Sequence, residues 1–258
     1  MGIDALPGPV TDLHLVVAVH LIEVVDRRSV EHADAGRLVD LCDQFDQMRP
    51  RHGDEVAPRA RGRRQIEDQL AQPGFEGAKW VCSTPLRTKH EHHQSDLWKG
   101  LRMNELAVVS TDHCPFCFKD QKELGLGNFS KIPNGIGGVE HRMELIYQGV
   151  VAGEISLERW VETCSTTPAR MFGLDKKGVL EPGSDADVLI WDPNGKTKIG
   201  INDKHHMNMD HSAYEGFEID GKVDTVISRG TTVVENDTFV GRKGHGRFVK
   251  RGLSKYLH

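Results

Sequence analysis

Val108-Val-Ser-Thr-Asp-His-Cys-Pro-Phe116, followed by Lys131-Ile-Pro-Asn-Gly135, is the stretch on which the reading of this chain turns. An apolar β-branched run ends abruptly on an acid, and a Pro-Asn-Gly turn follows about twenty residues later. Barrel enzymes place their catalytic groups at the C-terminal ends of buried strands. Residues 107–110 therefore predict a strand that delivers the carboxylate of Asp112, the first candidate for chemistry. Residues 113–138 form a long segment rich in Gly, Pro and Lys. Segments of that length without regular structure, inside a compact domain, are usually functional or disordered.

Working outward, residues 79–82 read as a short strand and residues 83–89 as a loop. Ser95 is placed to cap a helix running through Leu101. Residues 140–150 and 157–165 read as helices, and Pro168 can open a further short helix that ends at Gly173. Beyond Gly178 the composition turns to strands. Residues 186–191 form one, Asp192-Pro-Asn-Gly195 is a turn, and residues 221–234 predict two more. Upstream, residues 13–25 are apolar and β-branched, which fits a buried strand or a short helix. Residues 30–48 alternate loosely at helical spacing, and residues 50–64 read as a loop.

Several stretches carry a resemblance: Gly74-Phe-Glu-Gly-Ala-Lys-Trp-Val-Cys-Ser-Thr-Pro-Leu-Arg87, Ile-Pro-Asn-Gly-Ile around Asn134, Gly137-Gly-Val-Glu-His-Arg-Met143 and Ser165-Thr-Thr-Pro-Ala-Arg-Met-Phe-Gly-Leu174. Lys177-Gly-Val-Leu-Glu-Pro-Gly-Ser-Asp-Ala-Asp-Val-Leu-Ile-Trp-Asp192 and Phe239-Val-Gly-Arg-Lys-Gly-His-Gly-Arg-Phe248 extend it. Together they resemble the dihydropyrimidinase and D-hydantoinase family of zinc-dependent cyclic amidohydrolases. The resemblance implies an α/β fold in three parts. Residues 74–177 are expected to be the end of a (β/α)8 amidohydrolase barrel, and residues 178–258 strands of a small β-sandwich plus a C-terminal tail. Residues 1–73 are an anomalous segment of unclear fold.

It also implies a site. Asp112 matches the family's zinc ligand that handles a proton during ring opening. Ser83 and Asn134 match the residues that hold a cyclic diamide through backbone groups. The implied cofactor is Zn2+ in a two-metal site, and the implied substrates are dihydropyrimidines and 5-substituted hydantoins, opened to N-carbamoyl amino acids. The implied partner is a second copy of the chain, since the family forms homotetramers. Two neighbouring functions share the scaffold. The collapsin response mediator proteins are non-catalytic relatives that lack the acid and the asparagine, both present here. Allantoinase fits the Ile-Pro-Asn-Gly turn and the tail less well.

Residues 1–73 contain nine Arg and no Lys, whereas residues 74–258 contain fifteen Lys and nine Arg. The family's His-x-His strand end, its modified lysine and its later histidines belong before Gly74, and none is recognisable there. A start read in a wrong frame, or a fusion, is one account of this break. The expectation is a truncated chain with an incomplete metal site and little or no activity of its own.

Composition narrows the rest. The net charge of −5 over 258 residues argues against nucleic acid or a membrane surface as the main partner. Arg59-Ala-Arg-Gly-Arg-Arg64 reads as a solvated segment. Five Cys at irregular spacing do not form a disulfide framework. Cys114 and Cys117 read as structural thiols rather than a redox pair. His90, His92 and His93 read as a solvated helix entry, and His205, His206 and His245 as structural. The start lacks a signal-peptide pattern, so a cytoplasmic location is expected.

Overall fold

Apolar residues at helical spacing and β-branched runs sort this chain into a helical layer and an antiparallel sheet. A computed structural model describes residues 15–18, 73–82 and 92–256, with the backbone alone for residues 15–18. The helices are α1 (His93–Arg102), α2 (Arg142–Val151), α3 (Leu157–Val161) and α4 (Thr167–Met171). The strands are β1 (Leu15–Ala18), β2 (Val188–Lys198), β3 (Glu218–Ser228), β4 (Thr231–Glu235) and β5 (Thr238–Phe239). All strand neighbours are antiparallel, in the order β1-β2-β3-β4-β5.

The sheet is close to expectation, with two differences. β2 does not stop at Trp191 but runs to Lys198, absorbing the expected turn as a break in register between Asp192 and Lys196. Asp192 Oδ1 accepts from the Asn194 backbone N–H at 2.9 Å, an Asx turn inside a strand. One edge of β2 is also covered by β1, because Leu15 pairs with Trp191 and Ala18 with Val188. The apolar run near the N-terminus thus supplies a sheet strand at these four residues, and the remainder of residues 13–25 lies outside the described residues.

The helices differ from expectation mainly at their ends. Ser95 does not cap α1. His92 occupies that place, and the Ser95 hydroxyl donates back to the His92 carbonyl at 2.8 Å within the first turn. Ser156 caps α3, its hydroxyl accepting from the Arg159 N–H at 3.2 Å. From α3 the chain continues through a wide π turn, Glu162–Thr166, into α4. Pro168 falls in the first turn of α4, where its missing N–H costs nothing.

The two expected barrel strands are not strands. Pro73–Trp80 is a 3-10 helix, so residues 79–82 do not extend. Residues 107–110 have no ladder partner among the described residues. A strand needs a neighbour for its N–H and C=O groups, and other groups take them here. The Val109 N–H donates to the Thr163 carbonyl at 3.2 Å, and Arg142 Nη1 donates to the Val109 carbonyl at 2.8 Å.

The core lies between α2, α3 and the sheet. Tyr147, Trp160 and Trp191 form a triangle with ring centroids 4.9–5.3 Å apart. Both Trp160 and Trp191 are fully buried. Tilted and edge-on contacts of this kind add to the area each ring buries. Gly221 on β3 leaves room for Trp191, since a Cβ there would stand 2.5 Å from the indole. α2 then docks on β3 through one side chain. Gln148 donates to the Asp220 carbonyl at 2.9 Å and accepts from the Asp220 N–H at 3.1 Å. α2 begins four residues after Gly138, so this docking fixes the exit of the Asn134 turn relative to the core.

Candidate active site

The Asp112 segment lies alongside the Asn134 turn. His113 pairs with Ile136 in an isolated parallel bridge, and the Cys114 N–H donates to the Ile136 carbonyl at 3.2 Å. His113 Nδ1 accepts from the backbone N–H of both Gly138 (3.1 Å) and Val139 (3.3 Å). A nitrogen that accepts cannot carry the proton, so these contacts assign it to Nε2 of a neutral ring. Burial lowers the His113 pKa, which favours the same neutral form.

Contact between the two segments is close enough to require glycine at 135. A Cβ there would stand 2.1 Å from the Cys114 carbonyl oxygen and 3.0 Å from the Phe116 ring. Side chain at this position and the observed approach are incompatible.

Asp112 itself stands at φ +43, in the left-handed region that Asp and Asn tolerate better than most residues. Its side chain is exposed, and it forms no hydrogen bond or ion pair with the described residues. A side-chain-bearing residue in the left-handed region is a sparsely populated arrangement of the kind that clusters at functional sites. Asn134 is also exposed and lies two residues before Ile136, the bridge partner of His113. Ser83 lies outside the described residues, as does His90.

Three polar anchors hold this region, and of their side chains the sequence pointed only to His206, as a structural histidine. Lys122 is fully buried. Its ammonium donates to the carbonyls of Val81 (2.9 Å), Pro133 (2.6 Å) and Gly135 (2.9 Å). Burial brings its pKa down to about 8, against the opposing pull of Cys82 and Cys114.

Asp210 is the second anchor. It accepts from the backbone N–H of Phe118 (2.7 Å) and Lys119 (2.9 Å) and pairs with His211 at 3.0 Å. Burial pushes its pKa up, but His211 and the two N–H donors outweigh this and hold it at about 2.

The third is a chain of charges behind Gly138. Glu140 accepts from the His206 backbone and ring, at 2.9 and 2.6 Å. Buried Glu144 bridges His141 Nδ1 (3.1 Å) and Lys204 Nζ (2.6 Å), and Lys204 continues to Asp237 at 2.7 Å. Burial alone raises the Glu144 pKa; His141 and Lys204 reverse that and lower it. The only other signal for these anchors in the sequence was the resemblance of Gly137-Gly-Val-Glu-His-Arg, which marks a helix entry without naming its partners.

The expected thiols and histidines fall into place around this frame. Cys114 and Cys117 are both free, and Cys117 Sγ lies 4.0 Å from the Asn208 carbonyl. His245 Nε2 meets the Ser228 carbonyl at 3.2 Å and His205 Nε2 meets the Met209 carbonyl at 3.0 Å. Among the described residues, no group of three or more His, Cys, Asp or Glu could hold a metal ion. Catalytic zinc takes about three protein ligands. A centre that includes Asp112 would therefore draw its other donors from outside the described residues, and those described do not by themselves fit one. Among them, no helix is long and apolar enough to cross a membrane.

The sequence profile of the amidohydrolase family matches residues 53–233, reaching upstream of Gly74. The D-hydantoinase of Streptomyces coelicolor is 58% identical over 191 residues, covering 74% of this chain and 40% of that protein. The D-hydantoinase of Rhizobium radiobacter is 45% identical over 186 residues, covering 72% and 40%. Among solved structures, D-hydantoinase from Bacillus sp. AR9 superposes with a TM-score of 0.69 at 46% identity, over 72% of this chain and 40% of that one. Dihydropyrimidinase from Brevibacillus agri NCHU1002 gives 0.68 at 46% identity, over the same shares. The chain thus spans about 40% of the length of the relatives it matches. At these identities the likeness extends to fold, an α/β amidohydrolase barrel-type architecture.

Proposed function

We propose, from the premise that this chain belongs to the amidohydrolase family, that it carries the substrate-loop half of a cyclic amidohydrolase of the D-hydantoinase and dihydropyrimidinase type. In this reading residues 74–177 are the end of the barrel, and residues 178–258 belong to the accompanying β-sandwich. The reaction is hydrolytic opening of a dihydropyrimidine or a 5-substituted hydantoin. Water adds to a ring carbonyl, the ring C–N bond breaks, and the nitrogen leaves with a proton as part of an N-carbamoyl amino acid.

The roles follow from placement. Asp112 is an exposed carboxylate without a partner among the described residues, free to take the proton of the attacking water and return it to the leaving nitrogen. The backbone around Asn134 supplies donors and acceptors to the –CO–NH–CO– edge, and Ser83 is the second residue of this kind that the family resemblance implies. Zinc is the metal this reading implies, with Asp112 as one of its donors, and the reading includes assembly with further copies of the chain. The observation that supports it most is the parallel pairing of His113 with Ile136, which brings the residue after Asp112 against the segment that follows Asn134.

The test grafts residues 74–258 onto the N-terminal portion of the Streptomyces coelicolor relative and follows ring opening of hydantoin and dihydrouracil. Turnover that falls about 10²–10⁴-fold in Asp112→Asn is expected, the range for loss of general acid–base assistance. A folded graft without turnover, or one whose turnover ignores Asp112, would reject the reading.

A further inference from the structure

The most unusual charge in the described chain is Lys122. An ammonium has three N–H donors and no acceptor. Here all three find backbone carbonyls, at 2.6–2.9 Å, with no water-exposed side. The three carbonyls come from two separate segments. Val81 stands two residues before Ser83, while Pro133 and Gly135 flank Asn134. The Gly135 N–H also donates to the Val81 carbonyl at 3.0 Å, so the same oxygen serves both contacts. The ring of Phe116, four residues beyond Asp112, lies 5.7 Å from the ammonium.

A surface lysine would gain nothing from such an arrangement, and a buried ion is costly unless every donor is met. Gly125 shows that the surroundings are built to this plan. A Cβ there would stand 2.0 Å from the Ile132 side chain, so the turn carrying Lys122 packs directly on the segment that leads into Pro133.

We infer that Lys122 is a positioning residue: its ammonium ties the backbone at Val81 to the Pro133–Gly135 turn, and so fixes where the backbone groups of Asn134 meet the ring. The inference rests on the substrate reading above. Lys122 touches neither ring nor proton. It sets where the Asn134 turn stands for a small, flat molecule, for which an error of about 1 Å costs on the order of 100-fold.

The experiment uses the full chain and hydantoin as the probe. Backbone amide exchange at Gly135 and hydantoin affinity are measured by NMR in the unmodified chain, Lys122→Met and Lys122→Ala. In Lys122→Met, Gly135 exchange is expected to rise about tenfold, the loss of one ordinary hydrogen bond. Exchange at Trp160 and Trp191 should stay slow. Hydantoin affinity should fall about 10- to 100-fold. In Lys122→Ala, propylammonium should restore part of the affinity and propanol none, because only the cation replaces the donors; equal rescue by propanol would reduce Lys122 to a space filler and overturn the inference. Faster Gly135 exchange with unchanged affinity would also overturn it, as would no change in either.

If the unmodified chain does not bind hydantoin, the substrate reading is decided by turnover of the graft, and the Gly135 exchange still decides whether Lys122 holds the turn. If the variants do not fold, the ¹⁵N signal of the Lys122 ammonium in the unmodified chain decides. A shift on adding hydantoin supports the coupling, and a signal indifferent to bound hydantoin ends it.

Discussion

Around Trp160 the chain is held by apolar area: three rings, two of them wholly buried, with centroids about as close as their shapes allow. Around Asp112 it is held by polar groups instead. Lys122 meets three carbonyls, Asp210 meets two N–H groups, and His113 accepts two more. The first region tolerates exchange of one apolar shape for another of equal volume. The second does not, because each buried donor or acceptor left without its partner costs free energy. The difference explains why a region with almost no regular secondary structure can still hold a fixed geometry. It also bears on the proposed site, since an exposed acid is available for chemistry only where something else maintains the fold.

Four substitutions sharpen or break that contrast, and the aromatic core should yield the largest effect. Trp160→Ala removes the centre of the ring triangle and the hydrogen bond from Nε1 to the Met143 carbonyl at 3.0 Å. A loss of about 3–5 kcal/mol is expected in urea unfolding. A loss below about 1 kcal/mol would mean that the triangle closes over the gap and that the core is not where stability resides.

Glu144→Gln comes next. The carboxylate joins His141 and Lys204 while almost wholly buried. Gln keeps the shape but removes the charge that both neighbours use, at a cost of about 1–3 kcal/mol near neutral pH. Its pH dependence gives a second reading. The Glu144 pKa is lowered on folding, so the unfolded chain binds the proton more readily. The stabilisation is therefore present above the ordinary glutamate range and lost as pH falls through and below it. Asp210, held at about 2, extends the same loss to lower pH. Unfolding followed from pH 6 to pH 3 should show the unmodified chain weakening more steeply than Glu144→Gln. Parallel curves would show that this carboxylate contributes nothing to the acid response.

Gly135→Ala probes the join between the two regions' logic, since the added methyl is apolar but meets a carbonyl oxygen. A Cβ 2.1 Å from the Cys114 oxygen must push the Asp112 segment and the Asn134 turn apart. The expected cost is about 1–2 kcal/mol, typical of overpacking. The Cys114 N–H, bonded to the Ile136 carbonyl, should exchange faster with solvent. An unchanged exchange rate at Cys114 would show that the two segments are fixed by something other than this contact.

The strands of the sheet were legible in the sequence because alternation and β-branching act locally: the runs behind β2, β3 and β4 could be read, though not the continuation of β2 to Lys198. The helices of residues 140–171 were legible for the same reason, apart from their caps and the π turn. The expected strands at residues 79–82 and 107–110 were not, because a strand is defined by its neighbours. Val109 finds Thr163 and Arg142 there, not a ladder. The site divided in the same way. Asp112 and Asn134 stand in motifs with a recognisable order, so they could be named. Lys122 and Asp210 could not, since their partners are backbone groups 11 to 92 residues away and backbone groups leave no mark in a sequence. Trp191 Nε1 is buried without a partner among the described residues, and we have no physical account of it.

The smallest effect on stability should come from the residue expected to matter most for chemistry. Asp112 is exposed, makes no hydrogen bond or ion pair with the described residues, and stands at φ +43. Asn keeps the size, the polarity and a good tolerance of the left-handed region. Asp112→Asn should therefore change the unfolding free energy by no more than about 0.5 kcal/mol, as for other surface positions without structural duties. In the grafted barrel the same change should cost about 10²–10⁴-fold in ring opening, because an amide cannot accept the proton. The two measurements belong together. Lost turnover with unchanged stability marks an acid kept for chemistry and held in place by others. Lost turnover with a stability loss as large as that of Gly135→Ala would instead make Asp112 part of the frame. The division between a region that holds and a residue that acts would then fail at the position where it is drawn most sharply.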